Sequence, residues 1–84
     1  MKLYKVHMDL TLIIGELTSH RLKLDEYNSS VPIVFVEAKD PDQACNRSVF
    51  NLIHKILLQD ESLEVILLCK RLVDDIRISR VHVP

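Results

Sequence analysis

Residues 31–58, VPIVFVEAKDPDQACNRSVFNLIHKILL, constrain this chain more than any other stretch, because strand, turn and helix signals follow one another without a gap. Val31, Ile33, Val34, Phe35 and Val36 make a near-continuous β-branched and aromatic run, the composition of a strand with both faces covered, or of a central one. Pro32 has no N–H to give to a ladder, so it belongs at the strand's start. Asp40 suits a helix N-cap, since its carboxylate can accept from the free N–H groups of a first turn, and Pro41 suits the position after it. From there Cys45, Val49, Leu52, Ile53, Ile56 and Leu57 recur at helical spacing, with Gln43, Arg47, Asn51, His54 and Lys55 opposite. Ala44 and Leu58 fall outside that division.

The flanking segments extend this unit. Tyr4, Val6, Met8, Leu10, Leu12 and Ile14 alternate with polar neighbours, which predicts a half-buried strand long enough to need a bend or bulge. Residues 15–18 can turn the chain. Residues 20–25 alternate again, predicting a second strand with Leu22 and Leu24 inward and Arg21 and Lys23 outward. A polar link at 27–30 leads to the central strand. After residue 58, Asp60 can cap a helix over 61–73 whose first turn is acidic and last turn basic, as the helix dipole prefers. The alternation of Leu63, Val65, Leu67 and Cys69 gives a strand as the competing reading. Residues 76–83 read as a closing strand. Ile76 and Ile78 hold one parity and Val81 and Val83 the other, which predicts a bulge near Ser79-Arg80.

The expected order is therefore β-β-β-α-α-β: a single α+β domain over 1–84, folded as a two-layer sandwich of a four-stranded antiparallel sheet with both helices on one face. Eighty-four residues hold one modest core, and a chain 48% apolar and 27% charged is globular rather than disordered. Cys45 and Cys69 sit among apolar residues and are expected as separate reduced thiols. The N-terminal residues alternate with charges and show no cleavable leader pattern, and no apolar run has membrane-spanning length. A cytoplasmic setting, in a cell or an infected host, is the expectation.

Little in the chain points to catalysis. One glycine cannot build a glycine-rich phosphate loop, and the four His and two Cys lack metal-ligand spacing. Asp74-Asp75 reads as a helix end and Asp40/Asp42 as a helix start, rather than as divalent-metal ligands. Ser19, His20 and Ser48 form no recognisable triad. His7 and His82 fall on predicted strands and can be neighbours there; solvent-facing histidines are the commoner outcome for such a pair. The expectation is a non-enzymatic chain with no cofactor and no metal.

Strand parity supplies a functional surface instead. If Val34, Val36 and Ala38 face the helices, Ile33, Phe35 and Glu37 face away, and Lys5, His7, Asp9, Arg21, Lys23 and Arg77 join them. The net charge is only −1, but residues 1–24 and 76–84 carry six Lys/Arg against two acids, while 25–75 carry five against ten. An apolar centre of Ile33 and Phe35, ringed by Lys5, His7, Arg21, Lys23 and Arg77, suits contact with another protein or a second copy of the chain. Such a molecule has the size of the small accessory or inhibitor proteins that phages make. The alternative partner is single-stranded nucleic acid, stacked on Phe35 with its phosphates on the cations. Modules of that kind usually present two or three aromatics, and here there is one.

Overall fold

Two-residue alternation carries the first strand, β1 (Lys2–Asp9): Tyr4, Val6 and Met8 are buried, while Lys5, His7 and Asp9 are half-buried on the other side. The computed structural model describes residues 1–84. After β1 come α1 (Ile14–Ser19), a 3-10 turn at Asp25–Tyr27, β2 (Ile33–Ala38), α2 (Pro41–Gln59), α3 (Leu63–Asp75) and β3 (Arg77–His82). The architecture is α+β, with a three-stranded antiparallel sheet in the order β2-β1-β3.

The expected four-stranded sheet is thus corrected to three strands, and the missing one is the segment at 20–25. Arg21 and Asp25 have φ of 56° and 50°, left-handed conformations that interrupt an extended chain on both sides of Leu22–Leu24. The backbone groups a ladder would have satisfied at Lys23 are met by one side chain instead. Gln59 accepts from the Lys23 N–H at 2.6 Å and donates to its carbonyl at 2.7 Å. Leu24 and Tyr27 still reach the core, and the Tyr27 hydroxyl donates to the Ser48 carbonyl at 3.0 Å. The alternation of leucines reported burial correctly and backbone conformation wrongly.

The first strand is also shorter than its pattern. The Asp9 carboxylate accepts from the Thr11 N–H at 2.9 Å, an Asx turn that ends β1. Beyond it Leu10, Ile13 and Leu17 are fully buried, so the chain has changed to helical spacing, and Leu12 points outward. Thr18 and Ser19 hydroxyls donate back to the Ile14, Gly15 and Glu16 carbonyls, competing with further helix and stopping α1.

The β2–α2 unit forms as its residues require. Asp40 accepts from the Gln43 N–H at 2.7 Å, with Pro41 as the first helical residue. The buried line of α2 is Ala44, Ser48, Leu52 and Ile56, with Cys45, Val49, Ile53 and Leu57 half-buried beside it. Ala44, outside the expected stripe, begins this line and is fully buried, where a small residue lets α2 approach β2. α3 is a helix, capped by Ser62 rather than Asp60: the Ser62 hydroxyl accepts from the Val65 N–H, and Asp60 accepts from the Ser62 N–H. Val65, Leu68, Cys69 and Leu72 bury one face of α3 in the same core. Each such side chain, fully buried, contributes about 1.5–3 kcal/mol.

The bulge is at Ser79. His7 pairs with Arg80 and Met8 with Ile78, so Ser79 is the extra residue, its hydroxyl donating to the His7 carbonyl at 3.2 Å. The extra residue resets the parity, so that Ile78 and Val81 both pack against the core.

Candidate functional site

Helices cover one side of the sheet only. On the other, β2 presents Ile33, Phe35 and Glu37, all exposed, with Phe35 58% accessible and Ile33 45%. β1 adds Leu3, Lys5, His7 and Asp9, and the reset parity of β3 adds Arg77, Arg80 and His82. Cross-strand register orders them in rows. Phe35, Lys5 and His82 form one row; Ile33, His7 and Arg80 form the next. The apolar residues therefore lie along β2, which is an edge strand with one face open rather than the covered or central strand expected, and the nitrogen-bearing ones lie along β1 and β3.

Of the residues expected on this face, Ile33, Phe35, Lys5, His7 and Arg77 are there. Arg21 and Lys23 are not, because the strand that was to carry them does not form. Lys23 lines a cleft of about 510 Å³ on the helical side, together with Asp25, His54, Lys55 and Gln59. That cleft is largely matched within itself: Lys55 donates to Asp25 at 2.8 Å and Gln59 clamps the Lys23 backbone. Hydrogen bonding from Lys55, and its charge, hold the Asp25 carboxyl below the usual carboxylate range. The two residues that sequence reasoning missed are Arg80 and His82. The parity switch in β3 was the signal for them, since an extra residue at 79 sends both to the outer face.

His7 and His82 meet, their Nε2 atoms 3.3 Å apart and their rings stacked with centroids at 5.4 Å. No set of three His, Cys, Asp or Glu side chains converges there or elsewhere in the chain. Desolvation and the neighbouring charges of His82, Lys5 and Arg80 lower the His7 pKa from its ordinary value. Lys5, Arg77 and Arg80 have no carboxylate within ion-pair distance; the chain's ion pairs are Lys55–Asp25 and those of Arg71 with Glu16 and Asp75.

The edge of β2 is open as well. Met8 and Leu10 N–H groups donate to the Pro32 and Ser30 carbonyls, so even-numbered residues bond towards β1. Ile33, Phe35 and Glu37 turn their backbone groups outward, and only the Glu37 carbonyl is occupied, by the Arg47 guanidinium at 2.7 Å. Both cysteines are free, and burial pushes both thiols up from their ordinary pKa. No helix is long and apolar enough to cross a membrane. No protein-family model, curated protein or solved structure matches this chain.

Proposed function

We propose that the chain is a small non-catalytic protein-binding module, of accessory or inhibitor type, that docks through the outer face of its sheet. Phe35, Ile33 and Leu3 are the apolar centre, and Lys5, Arg77 and Arg80 the charged side. The partner is another protein, or a second copy of the chain, presenting an apolar pocket beside acidic groups. The observation that carries the reading is the uncovered Phe35, beside cations with no carboxylate within ion-pair distance. Aromatic residues of this kind anchor interfaces, and truncating an anchor typically costs 2 kcal/mol or more of binding, about thirtyfold. A reducing cytoplasmic setting fits the two free thiols.

Affinity capture from an extract of the source organism, with wild-type chain and Phe35→Asp as paired baits, tests the proposal. A protein retained by the first and lost from the second supports it. Equal retention by both defeats it. In the self-associating version, light scattering after size exclusion reads a drop in mass for Phe35→Asp; a monomer in both samples removes that version.

Single-stranded nucleic acid is the second reading, favoured by the Phe35–Lys5–His82 row, which sets one aromatic ring against two nitrogen-bearing side chains. Binding to short oligonucleotides that falls steeply with salt would support it. No binding at low salt would end it.

A further inference from the structure

Four of the nitrogen-bearing side chains on the outer face of β1 and β3 form a quadrilateral. Lys5 sits opposite His82 and His7 opposite Arg80, with the two histidines in contact across one diagonal. We propose that Lys5, His7, Arg80 and His82 form a binding site for a dianionic oxyanion of the phosphate monoester class, and that the site takes up one proton as it fills. This deepens the docking reading: the partner's acidic group on that side is a phosphorylated side chain.

The hydrogen-bond inventory of the pair defines the protons. His82 Nδ1 lies 3.2 Å from the Val83 carbonyl, which can only accept, so Nδ1 carries the proton. In the neutral ring Nε2 of His82 is then bare, and His7 Nε2–H donates to it. His7 Nδ1 remains as the free acceptor. One proton from solvent can bind the pair and leave the His7–His82 contact intact, whereas a second would set two N–H groups against each other. The pair thus admits one added charge beside the two fixed charges of Lys5 and Arg80. The groups around His7 are Lys5 and Asp9 on its own strand, and Arg77, Arg80 and His82 on β3; β2 places uncharged Ile33 opposite it. Asp9 stands opposite Arg77, leaving the quadrilateral without an acid inside it. A dianion balances the two fixed charges and relieves the repulsion that disfavours protonated His7.

A metal ion is the rival occupant, because ligand atoms bound tetrahedrally at about 2.0–2.1 Å lie about 3.3 Å apart. Two features decide against it: Lys5 and Arg80 repel a cation, and no third ligating side chain reaches the pair.

The test follows the ring protons of all four histidines by NMR as inorganic phosphate is added near neutral pH, with ionic strength held by chloride. The proposal expects saturable shifts at His7 and His82 with His20 and His54 unmoved, and a His7 titration midpoint displaced upward by phosphate. Lys5→Gln and Arg80→Gln each weaken binding about tenfold; Arg80 is exposed and Lys5 half-buried on the outer face, and circular dichroism checks the fold of both variants. Parallel, unsaturated shifts at all four histidines overturn the proposal. So does acetate acting as strongly as phosphate, or zinc saturating the same two histidines while phosphate does not. Phe35→Ala, which adds no charge opposite Lys5, is expected to leave phosphate binding unchanged, so loss of partner capture with phosphate binding intact refines the docking surface, and the reverse removes the anion site alone.

Discussion

Two of the apolar surfaces on this molecule are built differently. The outer sheet face shows Leu3, Ile33 and Phe35; the outer stripe of α3 shows Leu63, Ile66, Leu67 and Val73, with Leu67 half accessible. By apolar exposure alone the helix stripe is at least as strong a candidate. Its charges tell the two apart. On α3, Arg71 is bonded to Glu16 at 2.7 Å and lies 3.7 Å from Asp75, and Glu64, Lys70 and Asp74 alternate in sign along the exposed side. On the sheet, Lys5, Arg77 and Arg80 have no ion-pair partner, and an open strand edge runs beside Phe35. Exposed apolar area is common on small proteins. Unmatched charge fixed beside it is what distinguishes the sheet face from the helix stripe.

If both surfaces are free of structural duty, truncating either leaves the fold intact, while truncating their inward neighbours does not. Leu72→Ala and Leu52→Ala are each expected to lower unfolding free energy by about 2–5 kcal/mol in urea titrations. Leu67→Ala and Phe35→Ala should stay within about 1 kcal/mol of wild type. A large loss for Phe35→Ala would make its ring part of the core and erase the contrast.

Binding separates the two surfaces next. Phe35→Asp should weaken partner binding about thirtyfold or more, and Leu67→Asp less than about threefold, measured by titration calorimetry on the captured partner. Reversed magnitudes would move the site to α3.

Charge gives a smaller contrast. Arg80→Gln removes an unmatched cation and should leave the melting temperature unchanged or slightly raised, whereas Arg71→Gln breaks ion pairs and should lower it, by an amount that shrinks in high salt. The smallest effect is in pH. The Asp25 carboxyl is held below its unfolded value by Lys55, so its contribution is present above the usual carboxylate range and is lost as pH falls through the folded value. Asp25→Asn should therefore flatten the acid limb of a stability–pH curve and leave Phe35-dependent binding unaltered.

The parts of the fold that were legible in the residues are those where one signal dominates. Asp40-Pro41 followed by helical spacing identifies α2, and strict alternation from Tyr4 to Met8 identifies β1. The outward direction of Phe35 follows from the same two-residue period. Residues 15–30 were not legible, because Leu22 and Leu24 satisfy a strand pattern while left-handed Arg21 and Asp25 forbid the strand; Asp is among the side chains that adopt that conformation, but Arg gives no sign of it. This one segment accounts for both the surplus strand and the misplaced Arg21 and Lys23. In α3 the apolar residues run nearly all round the helix, so period alone left it open, and the Ser62 cap together with burial of Val65, Leu68 and Leu72 resolves it. Arg80 and His82 depended on where the extra residue falls in β3, which pairing with His7 and Met8 locates at Ser79.

The most direct test of the outer sheet face as the working surface is side-chain footprinting, comparing the free chain with its captured complex. Labelling of Leu3, Ile33 and Phe35 should fall on binding while Leu63, Ile66 and Leu67 label as before. Protection confined to the α3 residues, with Phe35 still fully labelled, would contradict the account.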